Sequence, residues 1–140
     1  MRLRVDDPVL SVGDAGVISS YSLARGLANT LVDPHFPGWL APVPTQLPTL
    51  PATVHFAELS VSLWLLGGLA TNAFSYEATA STDKAAIVAA RAWAVAVAVG
   101  LVVVVCLRQT PHADQGLAVL GLGLTLVLWR ACYASWMRRL

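Results

Sequence analysis

The sequence predicts an all-α protein, an integral membrane bundle of about four transmembrane helices. Only 12% of the 140 residues are Asp, Glu, Lys or Arg, whereas soluble domains usually carry about 25%. Hydrophobic residues make up 56% of the chain, and the mean hydropathy is +0.65. A soluble chain of this length needs more charged side chains to cover its surface, so a membrane is the expected environment. The length predicts a single transmembrane domain over residues 1–140.

Four apolar segments are the candidate membrane spans: residues 9–32, 54–76, 86–107 and 116–137. A hydrocarbon core of about 30 Å requires about 20 mostly apolar residues in a helix, and the last three segments meet that requirement. The first segment is weaker because it contains Asp14 and Arg25. Its alternative is an amphipathic helix lying on the membrane surface. Asp14, Tyr21 and Arg25 fall on one narrow stripe, which favours a helix whose polar face turns into a bundle.

The segment between the first two spans, residues 33–53, is rich in proline, with six prolines between residues 33 and 51. This density predicts an extended loop rather than a helix. Phe36 and Trp39 suit a position at the membrane surface, where aromatic side chains are enriched. The alternative function of this loop is a docking strap for a partner protein.

The positive charges predict the orientation of the chain in the membrane. Four spans place both termini on the same side as the loop after the second span. That side carries Arg2, Arg4, Lys84, Arg138 and Arg139. The opposite side has only Arg108. Because positive charge accumulates in loops on the cytoplasmic side, the termini are expected on the cytoplasmic or stromal side.

Five charged residues lie within the predicted spans: Asp14, Arg25, Glu58, Arg91 and Arg130. Charges at membrane depth are costly and are normally paired or line a cavity. At about 1.5 Å of rise per residue, Asp14 lies at the depth of Arg91 and Arg130, and Arg25 lies near the depth of Glu58. We therefore expect structural ion pairs, Asp14 with one of the two arginines and Arg25 with Glu58. The alternative is a proton or ion path.

Four glycines within the spans are predicted to let helices approach closely: Gly67, Gly68, Gly116 and Gly123. His55, one turn before Glu58, is a candidate ligand of a chlorophyll magnesium or a neighbour of a haem. Cys106 and Cys132 are expected to be buried thiols that do not bond to each other.

No residue pattern predicts catalysis, so the chain is not expected to be an enzyme. No nucleophile lies beside a base, and the histidines lack metal-ligand spacing. A formal net charge of +1 does not suit a nucleic-acid-binding protein.

Several short motifs resemble a known family. They are Val12-Gly-Asp14, Ala24-Arg25, Arg91-Ala-Trp93 and Leu128-Trp-Arg-Ala-Cys-Tyr133. From about residue 12 to 133 the chain is similar to the small four-helix membrane proteins grouped as DUF3054. The loop Phe36-Pro-Gly-Trp-Leu-Ala-Pro42 looks like that of plant and green-algal members. This resemblance implies the fold and a plastid thylakoid location, but no defined activity.

The expected function is that of a non-catalytic accessory or assembly factor. Runs such as Ala92-Trp-Ala-Val-Ala-Val-Ala-Val present shallow surfaces suited to packing against the helices of a large membrane complex. Given the resemblance, that complex is expected to be photosynthetic, such as a photosystem. The alternatives are a small oligomeric transporter of ions, protons or solutes, and a supernumerary subunit of a respiratory complex. Chlorophyll, carotenoid and lipid are candidate bound molecules.

Overall fold

The computed structural model describes residues 6–31, 50–107 and 113–139. These residues form four long helices: α1 (Pro8–Leu31), α2 (Leu50–Ala70), α3 (Thr82–Cys106) and α4 (Ala113–Met137). A short 3₁₀ turn, Tyr76–Thr79, lies between α2 and α3. The described residues include no strand, and the prediction of an all-α chain with four long helices is confirmed.

Local capping explains where α1 and α3 begin. Asp7 precedes α1, and its Oδ1 accepts a hydrogen bond from the backbone N–H of Leu10 at 3.1 Å. Pro8 follows at the first helical position, where its missing N–H costs nothing. Ser81 caps α3 in the same manner by accepting from the backbone N–H of Lys84 at 3.2 Å. Both residue types are favoured helix caps, so the sequence specifies these two starts.

The second predicted span, 54–76, was wrong at its C-terminal end, because α2 ends at Ala70. Asn72 adopts the left-handed conformation with φ 54°. The N–H of Ala73 then reaches back to the carbonyl of Gly68 at 2.7 Å. This is a Schellman motif, which satisfies the last carbonyls of the helix and turns the chain away from the helix axis.

The start of α2 corrects the predicted loop 33–53, because the helix already begins at Leu50. Pro51 lies in the first turn, where proline fits a helix without loss of a hydrogen bond. The rest of that loop, residues 32–49 with Phe36 and Trp39, lies outside the described residues.

The four helices form a closed ring in which α1 contacts α2, α2 contacts α3, α3 contacts α4, and α4 contacts α1. The core contains Ile18, Trp64, Ala73, Phe74, Ala89, Ala92, Leu122 and Leu126. The buried face of α3 consists of alanines alone: Ala85, Ala89, Ala92 and Ala96. Such small side chains let α2 and α4 approach α3 closely.

The outer surface of the bundle is apolar. On α4 one face is formed by Leu117, Leu120, Leu124 and Leu128, each about two-thirds exposed or more. Within the described residues, Thr82–Cys106 and Gly116–Met137 are long and apolar enough to cross a membrane. In an 18-residue apolar stretch of each helix, only 17% is buried in the bundle for Thr82–Cys106 and 39% for Gly116–Met137. Core helices of soluble proteins are mostly buried, so these exposed apolar helices support association with a membrane.

The two cysteines also lie on the outer surface. Cys106 and Cys132 are free, as expected, but both are exposed rather than buried. The reason is that each apolar helix buries only one stripe of side chains, whereas its hydropathy is high all round.

Candidate functional site

The centre of the bundle holds a buried ion pair between α1 and α4. The side chains of Asp14 and Arg130 are both 0% exposed, and Nη2 of Arg130 lies 2.5 Å from Oδ2 of Asp14. Nε of Arg130 donates to the same oxygen at 3.1 Å. The arginine therefore presents two adjacent N–H groups to one carboxylate, an arrangement that fixes direction as well as distance.

Two indoles complete the surroundings of the carboxylate. Nε1 of Trp64, on α2, donates to Oδ2 of Asp14 at 2.8 Å. Nε1 of Trp129, on α4, donates to Oδ1 at 3.1 Å. Each carboxylate oxygen thus accepts from an indole as well as from Arg130. Three helices converge on this one side chain.

The guanidinium of Arg130 lies between two aromatic rings. Its Cζ is 5.0 Å from the ring centroid of Trp64 and 5.2 Å from that of Phe74. Its Nη1 donates to the carbonyl of Ala73 at 2.6 Å. The Schellman motif at the C-terminal end of α2 presents both this carbonyl and the Phe74 ring. The termination of α2 at Ala70, earlier than predicted, therefore positions two groups of the site.

The buried polar groups of the site are hydrogen-bonded within the protein. Throughout the residues that the structure describes, every buried side-chain nitrogen and oxygen has a hydrogen-bond partner. A buried ion pair costs desolvation energy that only such complete hydrogen bonding offsets. The ion pair and the indole hydrogen bonds of this site therefore hold α1, α2 and α4 together.

A second polar cluster lies near the start of α1. Oδ2 of Asp7 accepts from the hydroxyl of Tyr133 at 2.9 Å. The backbone N–H groups of Asp6 and Asp7 donate to the carbonyl of Phe74 at 3.0 and 3.2 Å. Tyr133 also packs its ring near that of Trp129, with centroids 5.9 Å apart. This cluster ties the start of α1 to α4 and to the turn after α2.

The structure selects Arg130 over Arg91 as the partner of Asp14. Arg91 is exposed on the outer face of α3. It lies next to Ala92, which is buried, and a single residue turns a helix by about 100°. One of the two predicted arginines is thus structural in the core, and the other is directed outward.

The predicted pairing of Arg25 with Glu58 is corrected by the structure. The Cζ of Arg25 lies 5.5 Å from the ring centroid of Phe56. The carboxylate of Glu58 lies 3.5 Å from Nδ1 of His55, and both side chains are largely exposed. Positions 56 and 58 are about 160° apart around α2, so the face that brings Phe56 to Arg25 turns Glu58 away. A pigment at His55 stays a prediction.

Three of the four predicted packing glycines do lie at close contacts. An added Cβ at Gly67 would collide with the carbonyl of Ala92, one at Gly68 with the Phe74 ring, and one at Gly123 with the indole of Trp93. Gly116 differs, because an added Cβ would meet no atom within 4 Å. Gly116 lies in the first turn of α4, seven residues before Gly123, and is exposed there.

Sequence reasoning missed several parts of the site: Asp7, Trp64, Ala73, Phe74, Trp129 and Tyr133. It also missed Gly13, which lies beneath the Trp129 indole. Gly121, a further glycine of the apolar part of α4, lies beside the Tyr21 hydroxyl. A usable signal existed for the indoles, since a tryptophan within an apolar helix needs an acceptor for its N–H.

No family model, curated protein or solved structure matches this chain. The resemblance to the four-helix family stays a prediction.

Proposed function

We propose that this chain is a non-catalytic accessory or assembly factor, a bundle of four membrane-spanning helices that packs against a large membrane complex. The observation that carries the proposal is the contrast between centre and surface. Among the described residues, the charged side chains at the centre, Asp14 and Arg130, pair with each other, and every buried side-chain nitrogen and oxygen has a hydrogen-bond partner. The outer faces, in contrast, offer apolar side chains that suit contact with lipid or with other membrane helices.

Two features support α1 and α2 as further spans. α1 contains an acidic side chain, Asp14, about two turns from its start, and the contacts of Asp14 with Arg130 remove the cost of leaving it unpaired. The outward residues of α1 include Val12 and Leu23, which are 72% and 55% exposed. α2 contains the apolar stretch Val54–Ala70. A polar centre enclosed by four apolar helices suits a bilayer.

The kind of complex is proposed from the resemblance alone. The plant-like and algal-like motifs favour a photosystem in the thylakoid membrane, with the termini on the stromal side. A respiratory complex would suit the same apolar surface. Neither assignment alters the role proposed for the bundle, which is to fill and cover helix surfaces of a larger partner.

The test is the size of the native assembly. An epitope-tagged chain is expressed in its source organism, the membranes are solubilised in a mild detergent, and native gel fractions are probed for the tag. We expect migration with a complex many times larger than the 14.8 kDa chain. Migration as a monomer or small homo-oligomer at every detergent concentration would overturn the proposal.

A matched pair of variants makes this test specific for the surface. Leu124→Trp adds bulk at an outward position of α4, and it should reduce migration with the large complex if that face packs against it. Arg130→Met disturbs the centre instead and should lower the amount of protein. If proteoliposomes of the purified chain conduct protons and Asp14→Asn abolishes the flux, the transporter alternative replaces the proposal.

A further inference from the structure

The outward face of α3 carries two cations at one end and only apolar residues beyond them. Lys84 and Arg91 are both exposed. They are seven residues apart, so they lie within about 20° of each other around the helix. Ala98, Val102 and Val105 continue the same face and are exposed as well.

The level of these cations relative to the membrane follows from contacts between α3 and α4. Arg138, at the end of α4, donates to the hydroxyl of Thr82 at the start of α3. Two exposed aromatic side chains lie at the same end: Tyr76, in the turn before α3, is 64% exposed, and Trp136, in the last turn of α4, is 58% exposed. Aromatic residues of this kind gather at the membrane interface. Lys84 therefore lies at the interface, and Arg91 lies about 10 Å deeper by helical rise.

An outward-facing guanidinium at that depth is costly unless it reaches the interface or pairs with an anion. Side chains on a helix tilt toward its N-terminus, so the side chain of Arg91 leans back toward Lys84 and the interface. Long cationic side chains extend in this way to reach polar groups at the membrane surface. On α3 the one acidic residue, Asp83, lies about 100° around the helix from Lys84. Glu77, in the 3₁₀ turn packed against α3, is the other nearby carboxylate.

We propose that this face binds an anionic membrane lipid, with the lipid phosphate held between Lys84 and Arg91 and an acyl chain lying along Ala98, Val102 and Val105. The charge of the phosphate complements the two cations, and the remaining apolar face continues for about 20 Å, the scale of an acyl chain. The inference rests on the proposed function only in placing α3 in a bilayer.

The experiment is native mass spectrometry of the full chain in detergent micelles. Phosphatidylglycerol and phosphatidylcholine are titrated separately, and the fraction of lipid-bound protein is followed. We expect phosphatidylglycerol to bind more tightly. Each cation near an anionic lipid surface contributes about 1 kcal/mol, so Arg91→Gln should weaken phosphatidylglycerol binding roughly fivefold and the double change with Lys84→Gln roughly 30-fold.

Three controls make the result decisive. Arg139→Gln removes one exposed cation at the same end of the bundle, outside this face, and should change binding less than twofold. Arg91→Lys keeps the charge and should retain the binding. Because the replaced side chains are exposed, the tryptophan fluorescence of the variants should match that of the parent, which shows that they are folded.

Several outcomes would overturn the inference. One is equal binding of the two lipids, and another is an equal loss in Arg139→Gln and Arg91→Gln. Displacement of the lipid by inorganic phosphate at equal concentration would show that the apolar face takes no part. None of these results bears on migration with a large complex, so failure here and failure of the proposed function are distinguishable.

Discussion

Replacing Arg130 by Met should destabilise the bundle by about 3–5 kcal/mol, the typical cost of removing one partner from a buried ion pair. The side chain of Asp14 would remain 0% exposed with only two indole donors. The carbonyl of Ala73 would lose the hydrogen bond that it accepts at 2.6 Å, a loss of about 1–3 kcal/mol for a buried group. The cation–π contacts of the Arg130 guanidinium with the Trp64 and Phe74 rings would also be lost, and a desolvated contact of this kind is worth about 2 kcal/mol. These contributions overlap, so the upper part of the range is expected.

The double change Asp14→Asn with Arg130→Met tests whether the cost arises from an unpaired charge. The side-chain carbonyl of Asn can still accept from an indole N–H, and no charge is left in the core. Replacing both partners of a buried pair can be nearly neutral. We therefore expect the double variant to be more stable than the sum of the two single losses by at least about 2 kcal/mol.

The assay is equilibrium unfolding in mixed micelles followed by tryptophan fluorescence. Trp64 and Trp129 both contact Asp14, so their emission reports on the site itself. Arg91→Met is the matched control, since it removes an exposed arginine and should change stability by less than about 0.5 kcal/mol. If the two single losses simply add in the double variant, the cost does not arise from an unpaired buried charge.

Three further predictions use thermal unfolding in the same micelles. Tyr133→Phe removes the donor to the Asp7 carboxylate and should cost about 1.5–3 kcal/mol, so a variant as stable as the parent would exclude a role for that bond. Gly123→Ala should destabilise by forcing an indole aside, whereas Gly116→Ala, in open space, should be neutral or stabilise by up to about 1 kcal/mol; equal effects would contradict the packing described here. Asn72→Gly should be tolerated at φ 54°, but Asn72→Val should cost about 1–2 kcal/mol, and a harmless valine would place the end of α2 elsewhere.

The sequence predicts the depth of the central charged residues in the membrane well, but not the direction in which each side chain points from its helix. Counting residues placed Asp14 level with both Arg91 and Arg130, because depth depends only on helical rise. The choice between them depends on how each helix is rotated about its axis. The spacing of the buried alanines of α3 carries that information, because it marks the face of α3 that packs against α2 and α4. Arg91 lies outside that face and is directed outward.

The turn after α2 was not predicted because Ala73, Phe74 and Tyr76 extend the apolar segment beyond the end of the helix. Asn72 was the available signal, as the residue type that most readily replaces glycine in the left-handed conformation. The consequence is large, because the turn supplies a carbonyl and a ring to Arg130. Contacts that join residues distant in sequence, such as the hydroxyl of Tyr133 with Asp7, leave no periodic trace that a single sequence could show.

The pairing expected between Arg25 and Glu58 failed for the same rotational reason. Depth brought the two residues together, but the face of α2 that meets α1 presents Phe56 instead. The number of long helices and the approximate position of each were predictable because they follow from hydropathy and length. The N-terminal starts of α1 and α3 are further determined by their caps, Asp7 and Ser81.

Spin-label accessibility tests whether all four helices cross the membrane with their outward apolar faces in lipid. Both native cysteines are replaced by serine, and single labels are placed on one outward residue of each helix: Leu23, Leu66, Val102 and Leu124. The protein is reconstituted in vesicles, and relaxation by oxygen is compared with relaxation by a water-soluble nickel complex. We predict high access to oxygen and low access to nickel at every position. High access to nickel at Leu23 or Leu66 would show that α1 or α2 lies outside the bilayer, and the proposed four-span bundle would then be wrong.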